Sequence, residues 1–213
     1  SELLAYGLSP RSKILLCGPP GTGKTMTARV LASELGQPLH VVQLDRVITK
    51  YMGETSAKLR QVFDRIQRIR GVYLFDEFDA IGSDREFGND VGEMRRVLTS
   101  FLQFIENDTS ENLVVAATNT SQILDRALFR RFDDVLTYSL PDTSQREALI
   151  RNVLGVFLGP QVQLDAIVSA TEGLSHAEIA RVARDAMKTA ILRNEKRVTT
   201  VDLQTHVYER REI

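Results

Sequence analysis

At 213 residues, with 43% hydrophobic and 26% charged positions, the chain is long enough to bury a sizeable core as one large domain, or as a large one and a small one. Its 27 lysines and arginines against 28 aspartates and glutamates leave a net charge of -1, so no global field draws it to nucleic acid or to an anionic membrane. No apolar run approaches the roughly 18 residues that a spanning helix requires, no basic-then-apolar leader opens the chain, and a single cysteine rules out an internal disulfide framework, as expected in a reducing cytoplasm.

The chain opens on Ser1 rather than Met, as expected of a piece of a longer protein. The first apolar run, Lys13-Ile-Leu-Leu-Cys17, predicts a buried strand with Cys17 as a small core hydrophobe. It leads directly into Gly18-Pro-Pro-Gly-Thr-Gly-Lys-Thr25, in which a glycine and four residues precede Gly-Lys-Thr. Between a strand and a helix this spacing makes a phosphate cradle. Gly21 and Gly23 let the backbone wrap, so that successive N–H groups face an anion at a helix N-terminus. Lys24 is expected to reach the β and γ phosphates and the Thr25 hydroxyl to ligate magnesium. Pro20, Gly21, Thr22, Gly23, Lys24, Thr25 and Met26 are thus candidate nucleotide-binding residues.

A second strand is expected over residues 39–44, followed by a helical stripe of Leu59, Val62, Phe63, Ile66 and Ile69. The third strand, Val72-Tyr-Leu-Phe-Asp-Glu77, ends in two carboxylates. A strand buried on both faces should not end in paired acids unless its C-terminal edge opens onto a cation or a ligand. Asp76 suits a magnesium shell, through the ion's water ligands, and Glu77 suits general-base polarisation of an attacking water. Met94, Val97, Leu98, Phe101, Leu102 and Ile105 form the next stripe. A fourth strand over residues 112–118 ends beside Asn119, whose amide donates and accepts at once; alone it reads as a turn residue, and with the first two motifs as a candidate for positioning water.

A fifth strand is expected over residues 134–140, giving a parallel α/β sheet covered on both faces. After Leu140-Pro141-Asp142 only helical patterns remain, so the expected division is a large α/β domain over residues 1–140 and a small helical one over 141–213. The clearest helix of the second part opens with the capping box Ser175-His-Ala-Glu178 and continues through Ile179, Val182, Ala183, Ala186, Met187, Ala190 and Ile191. Another is expected from Thr199, with Asp202 in its first turn. His40, His176 and His206 lack metal-ligand spacing, which leaves magnesium as the one metal expected.

Four stretches, "GPPGTGKT" at 18, "YLFDEFDA" at 73, "AATNTSQILDRALFRRFDD" at 116 and "GLSHAEIARVARDA" at 173, closely resemble the AAA ATPase family of the AAA+ superfamily. The resemblance implies a P-loop NTPase sandwich with strand order 5-1-4-3-2 and a helical lid. It also implies ATP or ADP with magnesium as cofactors, Asn119 as the sensor of the lytic water, and a ring, usually of six copies. Arg131 and Arg130 stand where the family has arginine fingers that complete the neighbouring subunit's ATP site. Here they are adjacent, as in the katanin and spastin-like branch, with Arg131 favoured as the main finger. In isolation the same pair reads as partners for Asp133 or Asp134.

Tyr51, Met52 and Gly53 resemble the aromatic pore loop of protein remodelers, with residues 84–90 as a second channel-facing loop; outside the family, Tyr51 reads as a core aromatic. Alignment with the lid places Leu149 and Val153 at the base and His176 and Ala177 at the family's Gly-Ala positions, with Ala177 leaving no lid arginine. His176 reads equally as a solvent-facing first-turn residue. The family's Ile-Gly-Gly turn upstream of the first strand is not matched, which implies truncation or a base pocket open on one side. The function implied is ATP-driven remodelling, unfolding or translocation of a protein; a nucleic-acid-associated motor or a nucleotide-dependent scaffold is the alternative.

Overall fold

A computed structural model describes residues 5–8, 10–47, 52–78, 91–119 and 129–212. Tyr51 and the second loop of residues 84–90 lie outside the described residues, and Met52, Gly53 and Met94 are described by backbone alone.

Period-two alternation of apolar side chains builds the centre of the sheet. In β1 (Lys13–Cys17), Leu15 and Cys17 face one side and Leu16 the other. In β3 (Val72–Asp76), Tyr73 and Phe75 take the first side, with Val72 and Leu74 opposite. In β4 (Leu113–Thr118) the split is Val114 and Ala116 against Val115 and Ala117. The outer strands are β2 (Leu39–Gln43) and β5 (Asp134–Thr137), and all pairings are parallel in the order β2-β3-β4-β1-β5. Read from the other edge, this is the 5-1-4-3-2 order implied by the resemblance.

The two faces receive different helices because the residues offered differ in size. On one, Ala28 and Ala32 of α1 (Lys24–Glu34) lie fully or nearly buried against Leu16, Leu74 and Val115, small side chains that admit a close helix. After β2 comes the short α2 (Leu44–Val47). On the other face, Leu59, Phe63 and Ile66 of α3 (Met52–Ile66) and Val97, Phe101 and Ile105 of α4 (Val91–Asn107) surround an aromatic cluster. Phe75 stacks on Phe63 with centroids 5.5 Å apart and meets Phe101 edge-on at 5.0 Å.

Three differences from the sequence reading have physical reasons. Helix α3 stops at Ile66, where buried Asn112 satisfies the emerging carbonyls: its amide donates to Ile66 O at 2.6 Å and, in the turn beyond the helix, to Ile69 O at 3.0 Å, and the Ile69 side chain is 37% exposed. The strand expected over residues 134–140 is confined to Asp134–Thr137, and as an edge strand it leaves Val135 and Leu136 exposed. Strand β2 ends at Gln43, and Leu44 starts α2.

Two compact units are distinguished, one of Ser1–Gly18 with Lys24–Tyr138 and one of Pro19–Gly23 with Ser139–Ile213. In the second, α5 (Thr143–Leu154) leads through a 3-10 turn (Gly155–Phe157) to α6 (Leu164–Ala170), α7 (His176–Leu192) and α8 (Thr200–Arg211). Ile150, Leu154, Ile167, Ile179, Ala183 and Leu203 are among its core residues. Ile191 is a further correction: it is 56% exposed while neighbouring Ala190 is fully buried, since one residue's rotation carries it off the apolar stripe. Buried Arg146 ties the unit together by donating to Val168 O, Pro141 O and Thr143 Oγ1.

Capping boxes start α5 at Asp142/Gln145, α7 at Ser175/Glu178 and α8 at Thr199/Asp202. Hydrogen bonds from the Ser175 backbone hold the Glu178 carboxyl below its ordinary value, and those from the Gln145 backbone do the same for Asp142. Burial pushes the Asp202 carboxyl upward, but the Thr199 hydrogen bonds and the Arg193 guanidinium outweigh it and leave the group lowered. A carboxylate whose folded pKa is depressed contributes stability that is complete above its unfolded value and drains away as pH falls towards the folded one. The helical unit should therefore hold a constant thermal midpoint well above the ordinary values of 3.8 and 4.5 and lose it steadily below them. Circular-dichroism melts of the chain against pH check this. In Asp202→Asn the acid-induced drop should shrink; a drop of unchanged size would remove Asp202 from the linkage.

Candidate functional site

Parallel pairing brings the C-terminal ends of β1, β4 and β3 to the same edge, with Cys17 opposite Thr118 and Phe75 opposite Ala116. Gly18 N donates to Thr118 O at 3.2 Å, so the pairing runs on to the residue where the glycine-rich loop begins. Asp76, Glu77 and Asn119 therefore issue from neighbouring strand ends beside Gly18. In the same unit Lys24 is 7% exposed, and its Nζ donates to Gly18 O at 2.7 Å, linking the two ends of the loop. Burial pushes the Cys17 thiol up, against a smaller opposing effect of Lys24, which keeps it a neutral core group rather than a nucleophile.

Thr25 Oγ1 donates to Asp76 Oδ2 at 2.9 Å, so the first and second motifs meet through their two candidate magnesium groups. A hydroxyl and a carboxylate side by side are hard oxygen donors of the kind magnesium takes, and the residues present fit that ion. Among the described residues, no cluster of three or more His, Cys, Asp or Glu side chains is placed to hold a metal. The other Asp76 oxygen accepts from Glu77 N at 3.0 Å. Glu77 is exposed and sits at φ 57, a left-handed conformation that few residues with a side chain adopt. Phe78, next along, is fully buried and packs on Phe101 at 4.8 Å. The unusual backbone thus separates an anchored side chain from one turned to solvent. Asn119 is exposed just beyond β4.

Pro19–Gly23 belong to the helical unit. There, Ala177 N donates to Gly21 O at 3.0 Å, and Thr22 Oγ1 donates to Pro19 O at 2.8 Å. Gly21 has φ +73, and a Cβ on it would lie 2.5 Å from Ser175 Oγ and 3.1 Å from Ala177 Cβ. The sequence gives phosphate wrapping as the reason for a glycine here; the capping box of α7 is a second reason that spacing alone does not reveal. His176 is half-buried with a buried Nδ1 that has no hydrogen-bond partner, and Ala177 is exposed. Leu149 and Val153 are partly buried against the helical core, and Met26 is 66% exposed on α1.

Arg131 does not pair with either aspartate that follows it; its guanidinium forms an ion pair with Glu106, at the end of α4. Asp133 Oδ2 accepts the Ser12 and Lys13 N–H groups at 2.8 and 3.0 Å, and Asp134 pairs with Arg11 at 2.6 Å. Both acids are thereby engaged in fixing the entry to β1. Lys13, Glu106, Arg130, Arg131 and Asp133 line a surface cavity of about 360 Å³. Glu106 was not singled out in the sequence, since it lies on a helix stripe with no motif of its own.

A phosphate-loop motif and an acid-ended strand, joined by the Thr25–Asp76 contact in a five-stranded parallel sheet, define a P-loop nucleotide-binding domain. Residues 14–140, more than half of the chain, match the model of the "ATPase family associated with various cellular activities (AAA)", and the chain belongs to that family. It is a nucleotide-binding ATPase domain. It is similar to the "Uncharacterized AAA family ATPase y4kL" of Sinorhizobium fredii, with 42% identity over 94% of this chain and 61% of the relative. It also resembles the "ATP-dependent zinc metalloprotease FtsH 4" of Sphaerobacter thermophilus, with 36% identity over 89% of this chain and 30% of that protein. With the "Peroxisomal ATPase PEX6" of Penicillium chrysogenum it shares 36% identity over 94% of this chain and 14% of the relative. The chain thus spans less than two thirds of each of these relatives. Among the described residues no helix is long and apolar enough to cross a membrane.

The Gly21 contact yields a direct test. Gly21→Ala forces a Cβ against the Ser175 hydroxyl and demands a left-handed alanine, so the helical unit should lose about 1–3 kcal/mol. Denaturant titration followed by far-UV circular dichroism measures this; a midpoint equal to the parent's would show that loop and capping box adjust freely.

Proposed function

We propose that this chain is the motor module of a ring that couples ATP hydrolysis to remodelling, unfolding or translocating a protein. The observation that carries the reading is the 2.9 Å bond between Thr25 and Asp76, which joins the phosphate loop to the acid-ended strand. In this reading the loop's N–H groups and Lys24 hold the β and γ phosphates. Thr25, and Asp76 through water, would hold magnesium, which when bound supplies positive charge to the phosphate oxygens. Glu77 accepts a proton from the attacking water, and Asn119 orients that water. The water oxygen bonds to the γ phosphorus, the bond to the β–γ bridging oxygen breaks, and ADP and phosphate leave.

Arg131, assisted by Arg130, acts on the ATP of the neighbouring copy, and residues 141–213 serve as the lid, with Leu149, Val153, His176 and Ala177 near base and ribose. An arginine in this role is worth about 10³- to 10⁵-fold in rate in related nucleotidases. Tyr51, with Met52 and Gly53, grips an extended polypeptide in the channel. The metalloprotease relative's name supports a protein substrate, and the near-neutral net charge gives no general attraction to nucleic acid.

Two measurements test this. Glu77→Gln should bind ATP with near-parental affinity and turn over at least about 10²-fold more slowly, as loss of a general base dictates; parental hydrolysis by the variant removes Glu77 from the chemistry. Unfolded polypeptide should raise the ATPase rate more than DNA does, and Tyr51→Ala should lose that stimulation. Stimulation that survives the substitution would reject the pore reading.

A further inference from the structure

We propose that Tyr138 is a positioning residue for the phosphate loop, bracing from the end of β5 both the point where the loop leaves the sheet unit and the helix on which it returns. Three contacts of one residue carry this. Tyr138 N donates to Cys17 O at 2.7 Å, extending the β1–β5 pairing to the last residue before the loop. The Tyr138 backbone then lies so close to Gly18 that a Cβ there would come within 2.4 Å of Tyr138 O and 2.7 Å of Tyr138 Cβ. Its phenol reaches the other side: Tyr138 Oη and Thr27 Oγ1 are hydrogen-bonded at 2.6 Å, and either hydroxyl can donate. Thr27 stands in the first turn of α1, three positions after Lys24. The ring is half-buried and packs with the cluster of Leu16, Ala28 and Ala32 that seats α1 on the sheet.

The consequence is mechanical. Lys24 and Thr25 project from the first turn of α1, so their distance from Gly18 depends on where that turn is held. One hydrogen bond already spans the gap, Lys24 Nζ to Gly18 O, but it uses the ammonium that phosphate chemistry needs. The Tyr138–Thr27 bond spans the same gap with hydroxyls that take no part in that chemistry. It can therefore fix the loop's width whether Lys24 faces Gly18 or a phosphate. A loop already held at the binding width loses less conformational freedom when it takes up a polyphosphate, and affinity rises accordingly.

The inference rests on reading residues 18–25 as the nucleotide loop, so the test carries a control for that reading. ADP affinity is measured on the whole chain by titration with a fluorescent ADP, alongside the thermal midpoint, for Tyr138→Phe, Thr27→Val, their double variant, Thr27→Ser and Lys24→Ala. Tyr138→Phe removes one oxygen and keeps the ring. It should bind ADP about 3- to 10-fold more weakly, the scale of one neutral hydrogen bond. Thr27→Val should lose the same factor, the double variant no more than either single, and Thr27→Ser, which keeps the hydroxyl, should bind as the parent does.

Parental affinity in both Tyr138→Phe and Thr27→Val, with Lys24→Ala impaired, would overturn the proposal and leave the nucleotide reading standing. Losses that multiply in the double variant would overturn it as well, because the two hydroxyls would then act separately. A lowered thermal midpoint with unchanged ADP affinity of the folded protein would make Tyr138 a packing residue only. Parental affinity in Lys24→Ala would sink the nucleotide reading, and the proposal with it.

Discussion

Parallel, in-register pairing of β1, β4 and β3 is the constraint on which the rest of the molecule depends. Strands buried on both faces have no lateral outlet for polar side chains, so chemistry gathers at their ends, and parallel order puts those ends on one edge. Thr118 is fully buried and Asn119 exposed, one residue apart. At the end of β3 the change is smaller, from fully buried Phe75 to half-buried Asp76, and exposure comes at Glu77. The sheet therefore delivers an amide, two carboxylates and the residue that opens the glycine-rich loop, Gly18, to neighbouring strand ends by backbone hydrogen bonding alone. A one-residue slip between β3 and β4 would turn Phe75 out of the aromatic cluster as well as moving Asp76, so packing protects the site's geometry.

Unequal faces reinforce this. Large aromatics beneath α3 and α4 fill one side, while alanines on α1 let that helix approach the other closely. The small face lies under the helix that follows the loop and carries Lys24 and Thr25 in its first turn. Tyr138 is the large side chain added to that face, and it arrives from the exposed edge strand rather than from the interior. An edge strand with two exposed apolar residues contributes little to the core, yet its last pairing, Tyr138 N to Cys17 O, sets a boundary of the loop.

What could be read from residues alone followed the range of the interactions. The three central strands and the stripe of α4 are local periodicities, legible because burial repeats every two or every three to four residues. The phosphate loop and the Asp76–Glu77 pair were legible because their spacing is set within one turn and one strand end. The limits of β5 and α3 were not, because they are set by pairing and contacts from other segments: β5 makes its last pairing through Tyr138 N to Cys17 O, and beyond α3 Asn112 takes the carbonyls of Ile66 and Ile69. Arg131 with Glu106, Gly21 with Ser175 and Thr27 with Tyr138 join residues far apart in the chain, and no single-segment pattern encodes them. For Arg131 the acids adjacent in sequence were the natural candidates. The fold gives those acids to Arg11 and to the β1 backbone instead.

Adjacent acids need not share a role, and Asp76 and Glu77 show how backbone geometry parts them. Each Asp76 oxygen already accepts a hydrogen bond, Oδ2 from Thr25 and Oδ1 from Glu77 N, so this carboxylate is held in one orientation. Glu77 follows in a left-handed conformation, at a cost of about 1–2 kcal/mol for a residue with a side chain. Two things offset that cost: the Glu77 N–H bond to Asp76 and the burial of Phe78 against Phe101 immediately beyond. An ordinary extended residue at 77 would carry the chain past the strand end with Phe78 out of the cluster. The strain and the aromatic anchor are thus one device: it holds the first acid in one orientation and leaves the second turned to solvent.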